Sequence, residues 1–225
     1  GGQGKRLRPL TAAIPKPLLP VGDKPIIQLI IEHMKDFGIV DIFVSVNYKK
    51  EIVKSFLRDG SRYGVRITYI EESEITGTAG SLALLPVDFD DKILVSNGDL
   101  ICDVDYRTIN EMLAQCDLVL TGIEKQVPVD FGVLQTNGSS ELVSWEEKPK
   151  LKYIINGGIY GVSKKVIGYI KNNIPRNQHI DMPTLWGIMK DNGMKLAVHI
   201  HRGKWHDVGR MEDYMALTER GEEIT

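Results

Sequence analysis

The chain opens on Gly1-Gly2-Gln3-Gly4-Lys5-Arg6-Leu7. A run of small residues can turn its backbone N–H groups inward on a polyphosphate, and the guanidinium that follows can bind two phosphate oxygens at once. The run lacks the third glycine of a dinucleotide fingerprint and the Gly-Lys-Ser/Thr ending of a Walker loop. Taken alone it also reads as a flexible chain end. Lys16 then stands between Pro15 and Pro17, which hold the chain extended and fix its ammonium with little entropy left to lose. The first 25 residues carry Lys5, Arg6, Arg8, Lys16 and Lys24 against Asp23 alone, a local charge of +4 in a chain whose net charge is −2. A basic, Gly- and Pro-rich opening on an otherwise acidic protein suits an anion. Asn97-Gly98-Asp99 follows an apolar run that reads as a strand, and open α/β sheets place ligands at the C-terminal ends of their strands. On its own an Asp there is a turn or N-cap residue.

These residues belong to a longer ordered pattern. Leu7-Arg8-Pro9-Leu10-Thr11, Pro15-Lys16-Pro17-Leu18-Leu19-Pro20-Val21 and Lys24-Pro25-Ile26-Ile27 closely resemble the signature of the nucleoside-diphosphate-sugar pyrophosphorylases, or sugar-1-phosphate nucleotidyltransferases. The likeness continues along nearly all of the chain. It implies that Gly77-Thr78-Ala79-Gly80 forms the turn beneath the nucleotide base, where absent side chains let the ring lie on the backbone. It makes Asp99 the first metal carboxylate. Glu146-Glu147-Lys148-Pro149, in isolation a solvated turn, becomes the sugar-phosphate site: Glu147 accepts hydrogen bonds from sugar hydroxyls and Lys148 pairs with the phosphate. Asn156-Gly157-Gly158-Ile159-Tyr160 corresponds to the usual Asn-Ala-Gly-Ile-Tyr; Gly157 in place of alanine leaves the pocket floor, if anything, roomier. Phe131-Gly132-Val133 replaces a common Tyr-Gly-Val, so the Gly132 backbone faces the sugar and one ring hydroxyl is lost. Trp205-His206-Asp207-Val208-Gly209-Arg210 resembles the second carboxylate element, with Asp207 as the second metal ligand. His206 is not taken as a ligand, because neighbouring strand residues point to opposite faces. His33, His179, His199 and His201 show no zinc spacing, and two cysteines supply no structural zinc site.

The chemistry implied by the resemblance is in-line attack of a sugar-1-phosphate oxygen on the α-phosphorus of a nucleoside triphosphate, expelling pyrophosphate. The nucleophile is already an anion, so the barrier lies in gathering polyanions and stabilising charge on the phosphate oxygens. Arg6 with Gly1, Gly2 and Gly4 is assigned to the β- and γ-phosphates. Lys16 is assigned to the α-phosphate, Asp99 and Asp207 to Mg²⁺, and Gly77 and Thr78 to the nucleotide. On the sugar side stand Gly132, Glu147, Lys148, Asn156 and Gly157. Five residues before Gly77, relatives using thymidine or uridine triphosphate often place a glutamine; here Glu72 stands there. A carboxylate only accepts hydrogen bonds, and it matches the adjacent N1–H and N2–H of guanine, so guanosine triphosphate is the expected donor. The alternative is that Glu72 is one more exposed acid beside Glu71 and Glu74. A catalytically silent subunit that senses nucleotide sugars is the competing function. A nicotinamide dehydrogenase lacks its third glycine and its ribose-binding acid.

The elements that must position these residues are read from periodicity. Helices are expected at Ile26–Phe37, Lys50–Leu57, from Thr78, at Lys164–Lys171, Met182–Lys190 and from Met211; strands at Ile42–Val46, Val65–Ile70 and Lys92–Val95. After Asp117 come strands at Leu118–Ile123, Gly132–Gln135, Leu142–Trp145, Tyr153–Val162 and Lys195–Ile200. The fold class expected is α/β: a Rossmann-like mixed, mostly parallel sheet flanked by helices. With 225 residues, 42% hydrophobic and 26% charged, the chain makes one domain, with a nucleotide-binding part to about residue 116 and a sugar-phosphate part beyond. A phosphate loop ordinarily follows a buried strand, so the expected domain lacks its first strand and the sequence reads as cut from a longer polypeptide. No apolar run reaches 18 residues, which argues against a membrane partner. The near-balanced charge argues against nucleic acid. Cys102 and Cys116 fit a reducing, cytoplasmic setting. The expected partners are the two substrates and, beyond them, a second copy of the chain.

Overall fold

Half of the ten prolines fall between Pro9 and Pro25, and the opening accordingly forms only short pieces. The computed structural model describes residues 4–86, 92–176 and 178–219. A 3₁₀ turn at Lys5–Leu7 leads to α1 (Leu10–Ala13), a second 3₁₀ turn at Lys16–Leu18, and the short strands β1 (Pro20–Val21) and β2 (Lys24–Pro25). The first long helix is α2 (Ile26–Asp36), whose apolar stripe buries Ile26, Ile27, Ile31 and Met34. It ends where Gly38 adopts φ +78° and its N–H returns to the Lys35 carbonyl. Then follow β3 (Asp41–Val46), α3 (Lys50–Leu57), β4 (Arg66–Glu71), α4 (Gly77–Gly80), β5 (Lys92–Ser96), β6 (Leu100–Cys102) and α5 (Tyr106–Met112). The second half comprises β7 (Leu118–Pro128), β8 (Val133–Thr136), β9 (Leu142–Glu146), β10 (Lys150–Ser163), α6 (Lys164–Asn173), α7 (Met182–Asp191), β11 (Leu196–His201), β12 (Trp205–Asp207) and α8 (Met211–Glu219).

The chain folds as a mixed α/β domain. Its largest sheet has the order β11-β7-β10-β5. Leu118 and Val119 are both fully buried but belong to different clusters, the first packed with α6 and α7, the second with α5. Alternate residues of β7 thus serve two cores, one on each face. The balance of strand directions differs from the expectation. β3–β4 and β11–β7 pair in parallel, whereas β7–β10 and β10–β5 are antiparallel. A parallel return needs a crossover of a dozen residues or more, usually a helix. Between β7 and β10 the chain instead makes the β8–β9 hairpin, so β10 comes back alongside β7 in the opposite sense. The division near residue 116 also runs through shared sheets: β5 borders β10, and β12 pairs with β6. Among the described residues no helix is long and apolar enough to cross a membrane.

A bulge in β10 joins this sheet to the loops that carry the acids. Pairing with β7 shifts register between Asn156 and Tyr160. Inside the bulge the Asn156 amide donates to Tyr160 Oη at 2.8 Å and its carbonyl oxygen accepts from Gly158 N–H at 3.1 Å. The Gly158 carbonyl accepts from Asn97 N–H at 2.9 Å, and the Gly157 carbonyl accepts from Trp205 Nε1 at 2.9 Å. Gly158 has φ +74°, and a Cβ there would lie 2.5 Å from Leu100 Cδ1 and 2.8 Å from Asn97 Nδ2. Gly158→Ala should therefore combine strain with overlap and lower stability by about 1–3 kcal/mol. An unchanged urea midpoint would show that the bulge is not the constraint described.

Candidate active site

Asp99 lies in the turn from β5 to β6, and Asp207 in β12. The antiparallel register sets Asp207 opposite Leu100, and Val208 N–H continues the ladder to the Asp99 carbonyl at 3.0 Å. The two acids thus occupy neighbouring positions at one end of the ladder, close enough for the charge of Asp99 to act on Asp207. Protein around the Asp207 carboxyl desolvates it although the residue reaches the surface, and the charge of Asp99 adds to this. Together they hold its pKa above the ordinary aspartate value against the pull of Lys16 and Arg6. Lys16 Nζ donates to Asp99 Oδ2. That side chain is 12% exposed, so its ammonium is held in the cleft instead of roaming in solvent. Arg6 sits on the exposed side of the Lys5–Leu7 turn, which Leu7 anchors at 0% exposure. Gly4 has φ +60°, and its carbonyl accepts from Thr11 Oγ1 at 2.8 Å. Gly1 and Gly2 lie outside the described residues.

The sugar-side residues form a separate group. A Cβ on Gly132 would come 2.9 Å from Glu147 Oε2, so the start of β8 and the end of β9 approach closely there. Lys148 has φ +47° and is exposed. Among the described residues no hydrogen bond or ion pair joins Lys148 to Lys16, Asp99 or Asp207. Asn156 directs its amide into the β10 bulge. Gly157 requires a correction: a Cβ there would lie 2.9 Å from the Thr121 carbonyl oxygen and 3.1 Å from Ile123 Cγ1. The space left by the missing methyl is taken by β7, not added to a pocket floor.

The nucleotide-side assignments also change in detail. Glu72 is 7% exposed. Its Oε1 accepts from Ser45 Oγ, and its Oε2 accepts from Thr76 N–H at 3.1 Å and Thr76 Oγ1 at 2.6 Å. Burial pushes its pKa up, but the bonds from Ser45 and Thr76 outweigh that and hold it below the ordinary glutamate value. A bidentate pair with guanine needs both oxygens, and both are engaged inside the protein. Glu72 is thus not an exposed acid; it is buried and closes the turn from β4 to α4. Gly77 has φ +78°, and a Cβ would meet the Ile180 carbonyl oxygen at 2.5 Å. Thr78 Oγ1 accepts from Met182 N–H at 2.9 Å. The room at Gly77 is filled by the segment before α7, and Thr78 caps that helix. Ser45, Asn97 and Trp205 escaped sequence reasoning as positioning residues, because each acts through a partner remote in the chain.

Residues 1–223 match the family model described as nucleotidyl transferase. The chain is 32% identical to a UTP–glucose-1-phosphate uridylyltransferase of Synechocystis over 95% of its own length and 59% of the relative's. It is 34% identical to a mannose-1-phosphate guanyltransferase of Schizosaccharomyces pombe over 97% of its length and 61% of the relative's. The crystal structure of HddC from Yersinia pseudotuberculosis complexed with GMP-PN superposes with a TM-score of 0.75 at 25% identity, covering 98% of this chain and 96% of that one. The chain belongs to the nucleotidyl transferase family. It spans about three fifths of the length of these two curated relatives.

The buried carboxylate generates a stability test. Glu72→Gln keeps the shape but exchanges a charged acceptor of hydrogen bonds from Ser45 and Thr76 for an amide, at a cost of about 1–3 kcal/mol. Because the folded pKa is depressed, Glu72 stabilises the protein above the ordinary glutamate pKa, and that contribution is lost as pH falls through the folded value. The gap in urea midpoint between wild type and Glu72→Gln should therefore be full at neutral pH and close in acid. A gap that widens in acid would contradict the assignment.

Proposed function

We propose that the chain joins a sugar-1-phosphate to a nucleoside triphosphate, giving a nucleoside-diphosphate sugar and pyrophosphate. The observation that carries this reading is the convergence of Arg6 and Lys16 on the Asp99–Asp207 pair. Two carboxylates, one of them held above its ordinary pKa by burial and by the charge of the other, form an all-oxygen donor set suited to a hard divalent cation, so the residues present fit Mg²⁺. When bound, Mg²⁺ would neutralise phosphate charge and polarise the phosphoryl group. The residues themselves gather the polyanions: Arg6 with the glycine run holds the β- and γ-phosphates, and Lys16 moves from Asp99 to the α-phosphate. Lys148, on the mobile-charge end of a long side chain, reaches the sugar phosphate from the β9–β10 connection, and Glu147 orients sugar hydroxyls. No proton need be abstracted, since the attacking phosphate oxygen is already anionic.

Guanosine triphosphate is the donor we propose, on the strength of the guanyltransferase relative and without Glu72 as the reading group. Uridine triphosphate, named for the Synechocystis relative, is the runner-up. Pyrophosphate release from a panel of triphosphates crossed with sugar-1-phosphates tests both the activity and the donor. Binding of nucleotide sugars without any release of pyrophosphate would instead identify a silent sensor subunit.

Asp99→Asn or Asp207→Asn removes one metal-binding anion, so turnover should fall by at least about 100-fold with the fold intact by circular dichroism. Near-wild-type turnover under saturating Mg²⁺ would remove that residue from the metal site. Lys148→Ala should weaken sugar-1-phosphate binding more than triphosphate binding. A calorimetric titration showing the reverse would move Lys148 to the other substrate.

A further inference from the structure

The turn between β11 and β12 folds over the far end of the β6–β12 ladder, at the Cys102 end and away from Asp207. Cys102 ends β6, Asp103 follows it, and His201 ends β11. One donor atom from each, a thiol sulfur, a carboxylate oxygen and an imidazole nitrogen, lies within 4.8 Å of the other two. His201 Nε2 stands 2.9 Å from Asp103 Oδ1 and 3.2 Å from the Lys204 carbonyl oxygen. The His201 side chain is 10% exposed and that of Asp103 is 51% exposed, which gives the cluster one protein wall and one entry path.

We propose that Cys102, Asp103 and His201 form a second cation site, for a thiophilic divalent transition metal of the zinc class, which ties the β11–β12 turn to β6. Thiolate and carboxylate together balance a divalent charge, and neutral imidazole completes three donors of the types such ions prefer over Mg²⁺. Tetrahedral coordination at ordinary metal–ligand lengths sets donors about 3.4–3.6 Å apart. The three donors lie within 4.8 Å of one another, with the His201–Asp103 pair at 2.9 Å, so binding asks for side-chain adjustment to that spacing, with release of the thiol proton to solvent. A water or the Lys204 carbonyl can supply the fourth ligand.

Gly203 gives an independent indication. A Cβ there would fall 2.3 Å from Asp103 Oδ1 and 2.7 and 2.9 Å from His201 Cε1 and Nε2. The turn can lie this close over the donors only because residue 203 has no side chain. Cys116 lies elsewhere and shares no donor with the cluster.

Metal-stripped protein, held in saturating Mg²⁺ so that oxygen-only sites are filled, is titrated with Co²⁺. The expected result is one equivalent bound with a thiolate-to-cobalt charge-transfer band in the near ultraviolet. Cys102→Ser should abolish that band and Cys116→Ser should leave it. His201→Gln and Gly203→Ala should each weaken Co²⁺ binding at least about 10-fold. Absence of the band in the wild type, or its survival in Cys102→Ser, overturns the proposal. Should Cys102→Ser fail to fold, Gly203→Ala decides, since it keeps all three donors: wild-type affinity in that variant also overturns the site.

Discussion

Two like charges do not settle side by side unless the backbone leaves them no alternative, and the β6–β12 ladder supplies that constraint. Its three paired positions place Asp207 against Leu100, one residue from Asp99. Burial and then the charge of Asp99 raise the proton affinity of Asp207, and the Lys16 and Arg6 cations moderate the rise. Those cations come from a segment whose prolines allow it only short turns, so the basic opening and the acidic pair meet across nearly the whole length of the chain. The site is thus assembled by topology, with a Lys16–Asp99 ion pair at its centre.

The ladder is itself held by the β10 bulge. Asn97 binds the Gly158 carbonyl just before Asp99, and the Trp205 indole binds the Gly157 carbonyl just before Asp207. One irregular stretch of strand therefore fixes the approach to both acids. Gly157, Gly158 and Gly77 serve close approaches of protein to protein: β7, Leu100 with Asn97, and the segment before α7. In a family pattern such glycines read as room for a ligand; packing at interior density explains them equally well from within the fold.

The two ends of the same ladder have different chemistry. At one end stand two carboxylates with the Arg6 and Lys16 cations; at the other, sulfur, nitrogen and oxygen donors gather beneath Gly203. A cation at the second end would stiffen a ladder only three residues long, and through it the position of Asp207. Exposed apolar side chains of the β8–β9 hairpin, Phe131, Leu134, Val143 and Trp145 among them, mark a further surface with a distinct character.

Local chemistry was legible in the sequence. Apolar periodicity located α2, α3, β3 and β4 nearly to the residue, because each buries a stripe or an alternating face whose period survives in one dimension; β7 was located at its start but runs five residues past its expected end. The ordered motifs likewise picked out Arg6, Lys16, Asp99 and Asp207, whose residue types suit phosphate and metal chemistry wherever they fold. The three-residue strands β6 and β12 are too short to carry a period, and the antiparallel return of β10 depends on a hairpin filling the place of a crossover helix. The role of Glu72 depended on Ser45 and Thr76 reaching it, and the Cys102–Asp103–His201 cluster on two distant segments meeting under a glycine. A residue's type sets which bonds it can form; only the tertiary structure decides whether partners inside the protein have already taken them.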